Sequence, residues 1–195
     1  MFPEIARDDV FRLETQRLWL RWPEAADAPA LSELAGDGDV ARMTATLPHP
    51  YRLDDAVRFI ARSREDNARG SALRFALTLK TSPRDTVGVI SVERSDFGPH
   101  IGYWLGRPFW GRGLASEAAA AITNAFFHVT EGDELGALVL EENARSRGVL
   151  ENLGFVEAGR QAESSILRFA LWRCRWRARG RAGLRPGLGS DTALT

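Results

Sequence analysis

The stretch 101–126, IGYWLGRPFWGRGLASEAAAAITNAF, constrains the fold of this chain more than any other. A short apolar run over 101–105 is followed by a glycine-rich turn over 110–116 and then by a strong helix former over 118–129. A strand, a small-residue turn and a helix in this order leave backbone N–H groups free at the helix N-terminus. Those groups and the positive end of the helix dipole favour a phosphate, and glycines let it approach the backbone closely.

Several kinds of protein use such a turn, and the residues separate them only in part. A Walker loop requires Gly-Lys-Ser/Thr, but here Gly113 is followed by Leu114, so that motif is excluded. Gly111, Gly113 and Ser116 match a Rossmann fingerprint only partially, and the preceding strand is short and closed by proline. A tight strand-to-helix turn without any ligand remains an alternative at this point.

The bulk properties predict one cytoplasmic, soluble domain. A chain of 195 residues can build a single core, and its 26 basic and 26 acidic residues cancel, which excludes a polyanion binder acting through net charge. The only cysteine, Cys174, excludes an intramolecular disulfide and fits a reducing compartment. We expect no signal peptide, no membrane helix and no metal site, while the oligomeric state stays open.

The elements before the glycine-rich turn follow from local patterns. Alternation predicts a strand over 15–21, and helical spacing predicts a helix over 24–35 and a further helical turn over 40–46. A longer helix is expected to begin at Asp54, acting as its cap, and to run to about Ala68.

Three further strands are expected around the turn, over 74–79, 86–94 and 135–140. The strand 100–105 pairs with 86–94 as an antiparallel hairpin. Its connection to the strand 135–140 passes through a helix, which predicts a parallel pair between those two strands.

A second helix with clear boundaries follows at residues 143–155, NARSRGVLENLGF. Asn143 is the expected N-cap and Gly154 the expected terminator. Val149, Leu150 and Leu153 form its apolar side.

These two stretches together resemble the GNAT acyltransferase superfamily. Trp110, Gly113 and Ala115 occupy the positions of its acyl-CoA loop, R/Q-x-x-G-x-G/A, and W-G-x-G after Gly-Tyr-Trp is the form found in the ribosomal-protein N-acetyltransferase (RimJ/RimL-like) subgroup. The string N-x-x-S-x-x-V-L-E-x-L-G-F is similar to the second family signature and lies at the expected distance. The resemblance covers about residues 15–158.

The resemblance implies an α+β fold, a single GNAT-type domain over 1–172 with a mixed central sheet, helices on both faces and a splayed strand pair that holds acetyl-CoA. It also implies transfer of an acetyl group from acetyl-CoA to a primary amine, by direct attack in a ternary complex. The acceptor would be a protein N-terminus or a small-molecule amine. The alternative is a non-catalytic acyl-CoA-binding or ribosome-associated module.

The same resemblance indicates the residues that would bind acetyl-CoA. Backbone N–H groups over 112–116 would hold the pyrophosphate, and Arg112 would add charge. A backbone N–H near Leu105 would polarise the thioester carbonyl. The full predicted set is Leu105, Trp110, Gly111, Arg112, Gly113, Leu114, Ala115, Ser116, Asn143 and Ser146.

Candidate catalytic residues follow from the family positions and their chemistry. Ser146 matches the serine near the sulfur and is the candidate acid, while a helix-surface role is its alternative. His100 stands where many relatives carry glutamate, and a histidine, with an ordinary pKa of about 6.5, suits a base. Glu93 across the hairpin and Glu142 are further candidates for that base.

The C-terminal segment 173–195 departs from the family. Residues 173–185 carry six arginines and no acid, a density typical of a solvated or disordered segment. We therefore predict a disordered tail. A ribosome contact through phosphate charge and an altered reading frame are its alternatives.

Overall fold

The computed structural model describes residues 1–44, 47–161 and 164–183 and contains an eight-stranded sheet flanked by helices. The strands are β1 Leu13–Glu14, β2 Leu18–Arg21, β3 Leu73–Leu79, β4 Ser82–Ser95, β5 Gly98–Leu105, β6 Glu134–Leu140, β7 Val156–Arg160 and β8 Ile166–Trp172. The α-helices are α1 Ala28–Gly36, α2 Gly38–Arg42, α3 Leu53–Arg69, α4 Leu114–Val129, α5 Ala144–Leu153 and α6 Arg173–Gly183. Three short 3-10 helices cover Glu4–Arg7, Ala25–Asp27 and Arg107–Phe109.

The strands lie in the order β1-β2-β3-β4-β5-β6-β8-β7, and β5 and β6 form a parallel pair. The other neighbouring strands in this sheet pair antiparallel. Helix α4 makes the crossover between β5 and β6, as parallel strands require. The mixed α+β architecture, the β4–β5 hairpin and the parallel pair predicted from the sequence are therefore confirmed.

Side chains that alternate along the strands separate two apolar clusters. On β4, Ile90 belongs to the large cluster beneath α4 and α5, which also contains Phe126 of α4. Its neighbour Val89 belongs to a smaller cluster with Leu31 of α1 and Ile60 of α3. We call these two sides of the sheet the α4 face and the α3 face.

The boundaries of α3 and α5 test the capping predictions. Helix α3 is capped at Arg52 rather than at Asp54, because Asp55, three positions on, accepts a hydrogen bond from the Arg52 N–H at 2.8 Å. For α5 the prediction holds: the Asn143 Oδ1 accepts from the Ser146 N–H at 3.0 Å, and Gly154 ends the helix with a φ of 92°.

The arginine-rich segment forms helix α6, whereas the sequence predicted disorder for it. The Arg173 guanidinium donates to the carbonyls of Phe127 and Thr130 at 2.6 Å each, which satisfies the C-terminal end of α4. The Trp176 ring stacks on Phe127 with centroids 5.1 Å apart, and its Nε1 donates to Asn124 at 2.8 Å. Charge density alone could not indicate these partners. The remainder of the predicted tail, 184–195, lies outside the described residues.

None of the helices in the described ranges combines the length and the apolar character that crossing a membrane requires.

Candidate active site

The sheet opens between β5 and β6. These strands pair only through His100 with Gly136 and Ile101 with Ala137, whereas β6 pairs with β8 along its whole length. Beyond Ile101 the two parallel strands diverge, so the last four residues of β5 face an open wedge. The predicted splayed strand pair is thus present in the structure.

The wedge is lined by backbone groups of β5. The Gly106 N–H donates to the Val87 carbonyl at 2.9 Å, which makes these two residues a hydrogen-bonded antiparallel pair. Such pairs alternate along the ladder, so the peptide groups of Tyr103 and Leu105 point away from β4 and toward the wedge. The Leu105 carbonyl accepts from Trp110 Nε1 at 2.7 Å. The Leu105 N–H therefore faces the wedge at a strand end that Trp110 holds in place.

The glycine-rich turn at the mouth of the wedge presents the N-terminus of α4. Gly111 and Gly113 have φ values of 71° and 72°, a conformation that glycine adopts without strain. Helix α4 begins directly after Gly113, and no side chain among the described residues caps it. The N–H groups of Leu114, Ala115 and Ser116 consequently occupy the unsatisfied first turn. Because the Leu114 side chain is buried, it contributes through its backbone alone.

Arg17 and Glu117 hold this turn against the N-terminal strands. The Glu117 carboxylate accepts from Thr15 Oγ1 at 2.6 Å and from the Arg17 backbone N–H at 2.7 Å. Arg17 Nη1 in turn donates to the Arg112 carbonyl at 2.8 Å. Burial alone would raise the pKa of Glu117, but the hydrogen bonds from Thr15 and Arg17 outweigh burial and lower that pKa. No local sequence signal linked Arg17 to a turn so distant in the chain.

Two arginines supply positive charge beside the turn. Arg112 and Arg145 are both exposed, and within the described residues neither forms an ion pair. The Arg145 guanidinium lies over the Trp110 ring, 5.1 Å from its centroid, which joins the start of α5 to the turn. Together with the helix dipole, these charges favour an anion at this position.

A neutral hydrogen-bond group lies on the α4 face. The Tyr103 hydroxyl is 3.0 Å from Ser146 Oγ and 3.3 Å from the Ser146 carbonyl oxygen. Burial raises the pKa of Tyr103 to about 12, although the hydrogen bond with Ser146 acts in the opposite direction.

Besides capping α5, Asn143 donates from Nδ2 to the Met43 carbonyl at 3.0 Å. Both ends of the Asn143 amide are thus engaged within the protein.

A charged group lies on the opposite, α3 face. Arg74, only 6% exposed, forms ion pairs with Asp66 of α3 and with Glu93 of β4, the latter at 2.6 Å. Ser91 Oγ also donates to Glu93 at 2.8 Å. Burial would raise the pKa of Glu93, but Arg74 and Ser91 lower it below its ordinary value. Glu93 is therefore an ionised carboxylate of reduced basicity, which argues against the predicted role as a base.

His100 pairs with Glu93 across the hairpin and so lies on the α3 face. Its Nδ1 is buried and finds no hydrogen-bond partner among the described residues. Because side chains alternate along β5, His100 and Tyr103 lie on opposite sides of one strand. The structure thus brings Ser146 to Tyr103 and His100 to Glu93 but separates the candidate acid from the candidate base. Glu142 is exposed in the turn before α5.

A splayed parallel pair, with an uncapped helix N-terminus at its mouth, defines the acetyl-CoA-binding architecture of an acyltransferase. The chain matches the family described as "Acetyltransferase (GNAT) domain" over residues 17–156. It therefore belongs to the GNAT acetyltransferases and is an acetyl-CoA-dependent N-acetyltransferase.

Known relatives agree with this assignment. The uncharacterized N-acetyltransferase p20 of Bacillus licheniformis is 30% identical over 149 residues, which cover 75% of this chain and 83% of p20. Mycobacterium smegmatis RimJ, solved with CoA-disulfide, superposes with a TM-score of 0.70 at 22% identity, covering 88% of this chain and 94% of RimJ. RimL, a ribosomal L7/L12 alpha-N-protein acetyltransferase solved with coenzyme A, superposes with a TM-score of 0.72 at 18% identity, covering 83% of this chain and 98% of RimL. At these identities the two solved structures show a shared fold.

Proposed function

We propose that this enzyme acetylates the N-terminal amine of a protein by direct attack on the thioester in a ternary complex. The observation that carries the proposal is the wedge, which ends at the free N–H groups of α4 on one side and at the Leu105 N–H on the other. The names of RimJ and RimL, which share the fold, support a protein acceptor over a small-molecule amine.

The glycine-rich turn and the β5 edge would hold acetyl-CoA. Backbone N–H groups over 112–116 would bind the pyrophosphate, with charge from Arg112 and Arg145. The exposed peptide groups of Tyr103 would pair with the amides of the pantetheine arm, as a missing strand would. The Leu105 N–H would polarise the thioester carbonyl, and loss of such a donor typically costs about 10²–10³ in rate.

The reaction requires two proton transfers, and these would take place on opposite faces of β5. His100, which is half-buried on the α3 face, would accept a proton from the attacking amine there. As the C–N bond forms and the C–S bond breaks, Ser146 would give its proton to the sulfur on the α4 face. Ser146 would take up a proton from solvent as it gives its own to sulfur, and His100 would release the amine proton to solvent, so one proton moves in total from the amine to the thiol. Glu93 would stay ionised and act on His100 through its charge.

The acceptor would approach along the α3 face. His100 and Trp104 both lie on that side of β5, and Trp104 packs against the smaller cluster formed with α1 and α3. The backbone of Met43, directly after α2, is bonded to Asn143 beside the wedge. The segments around α1–α3 would therefore form one wall of the acceptor groove.

We further propose that α6 contacts ribosomal RNA in the cytoplasm. Arg175 and Arg177 are exposed on this helix, while Arg173 and Trp176 anchor it to α4. Replacing Arg175 and Arg177 together by serine should leave turnover of a free peptide unchanged and weaken binding to ribosomes. In a plot of log affinity against log salt concentration, the slope should become shallower by about two, because two phosphate contacts are lost. Unchanged ribosome binding would contradict the contact.

The proposed acceptor is tested by measuring thiol release from acetyl-CoA with panels of N-terminal peptides, polyamines and aminoglycosides. We expect turnover with free peptide N-termini, and mass spectrometry should place the acetyl group on the α-amine. The same peptides with blocked α-amines serve as matched controls. Turnover confined to polyamines or aminoglycosides would overturn the protein acceptor, and no turnover with any amine would overturn the transfer itself.

A further inference from the structure

The Tyr103 hydroxyl bonds with the serine proposed as acid and makes no hydrogen bond to another side chain in the described part of the chain. Resting on the proposed function, we infer that Tyr103 is a positioning residue that aims the Ser146 hydroxyl proton at the leaving sulfur. Tyr103 belongs to the strand that forms the wedge, whereas Ser146 belongs to the first turn of α5. The hydroxyl pair therefore joins the two elements that flank the scissile bond.

The geometry allows two proton arrangements. In the first, the Tyr103 hydroxyl donates to the Ser146 carbonyl at 3.3 Å, and the serine proton points back at the tyrosine oxygen. In the second, Tyr103 donates to Ser146 Oγ at 3.0 Å, and the serine proton is free to turn elsewhere. Only the second arrangement lets Ser146 donate to a sulfur in the wedge. Tyr103 would thus select the productive direction of a hydroxyl that otherwise rotates freely.

Tyr103 keeps its own proton. Burial raises the pKa of Tyr103 to about 12, so the phenol is protonated at neutral pH. It therefore remains a donor throughout the working pH range. In each turnover the serine proton passes to sulfur and the electron pair of the C–S bond stays on sulfur. Ser146 takes up a proton from solvent in the same step, and the proton that the amine lost is released to solvent.

The chain offers a matched control, since it has only two tyrosines. Tyr51 is also buried, but it lies in the smaller apolar cluster on the α3 face. Tyr103→Phe and Tyr51→Phe each remove one phenol oxygen and leave the ring in place. Global incorporation of 3-fluorotyrosine into Tyr51→Phe then labels Tyr103 alone and retains its O–H.

The test is steady-state turnover of acetyl-CoA and a peptide amine. Tyr103→Phe should lower kcat about tenfold, the effect of one hydrogen bond, with the KM for acetyl-CoA within twofold. Any loss in Tyr51→Phe should persist in full in the Ser146→Ala background, unlike the loss in Tyr103→Phe. The fluorotyrosine enzyme should retain at least half of the rate of Tyr51→Phe. In a Ser146→Ala background, Tyr103→Phe should cause no further loss.

The outcomes separate this inference from the proposed function. A full rate in Tyr103→Phe, or the same loss with and without Ser146, would overturn the positioning role while leaving acetyl transfer intact. An equal rate in Ser146→Ala and the wild type would overturn both Ser146 as acid and Tyr103 as its positioning residue. If the wild-type chain turns over no amine, the proposed function fails first and this inference fails with it.

Discussion

The two faces of β5 carry polar groups of different character within a few residues of each other. On the α3 face, the buried Arg74 holds two partly exposed carboxylates, so each charge of this group has a partner. On the α4 face, Tyr103 and Ser146 share neutral hydroxyls whose protons have alternative positions. A paired buried charge is costly to break and resists change, whereas a neutral pair can exchange its protons at little cost. The comparison suits the charged group to a stabilising role, and it supports the proposal that the neutral group serves the chemistry.

The largest effect is expected from His100→Ala, which removes the one proposed proton acceptor on the α3 face. A positioned base contributes typically about 10²–10⁴ in rate, so turnover should fall by that order while the affinity for acetyl-CoA holds. Initial rates across pH 5–9 measure the effect. Glu93→Gln and Glu142→Gln are the controls, and a larger loss in either of them than in His100→Ala would assign the base to that carboxylate.

Arg74→Met breaks the charged group and sharpens the comparison through stability rather than rate. Removing one partner of a buried ion pair typically costs about 3–5 kcal/mol, and partial exposure of Asp66 and Glu93 should bring this variant to the lower end. Urea unfolding measures the difference in the free energy of unfolding between this variant and the wild type. Tyr103→Phe is the counterpart on the other face and should cost about 1 kcal/mol. Equal losses in the two variants would remove the distinction between the faces.

Gly113→Glu tests the mouth of the wedge. The side chain adds a negative charge beside the free N–H groups of α4, so calorimetry should show at least a tenfold loss of acetyl-CoA affinity, which is about 1.4 kcal/mol. Gly113→Ala is the control for backbone strain, because its φ of 72° disfavours any side chain. If the glutamate variant folds and binds as well as the alanine variant, the pyrophosphate does not lie at this turn.

The smallest expected effect is a change in the acid dependence of stability. The pKa values of Glu93 and Asp66 are lowered: burial raises them, but the pairing with Arg74 outweighs it. Their stabilisation is therefore fully present above the unfolded values of about 4 and is lost as the pH falls through the lower folded values. Urea unfolding at pH 3–7 should show a shallower acid loss in Arg74→Met than in the wild type. Parallel curves of unfolding free energy against pH would show that the pKa values of these carboxylates do not depend on Arg74.

Local sequence patterns were sufficient to predict much of the secondary structure of this protein. The strand–turn–helix over 101–126, the hairpin that leads into it and the cap of α5 at Asn143 depend on neighbours in the chain. Alternation along β5 is equally local, and it places His100 and Tyr103 on opposite faces because side-chain direction in a strand has a period of two. The roles given to these residues in binding and catalysis remain predictions.

Only the tertiary structure decided which polar groups meet. Arg17 and Glu117 are 100 residues apart, Arg74 selects Glu93 from an adjacent strand, and Tyr103 reaches Ser146 across the wedge. The arginine-rich segment likewise becomes helix α6 because Arg173 finds the open carbonyls at the end of α4. The sequence presents each of these side chains only in its local setting, as a charge, a strand residue or a helix residue. Their partners exist only after the chain has folded, since an ion pair or hydrogen bond depends on distance in space and not on spacing in the chain.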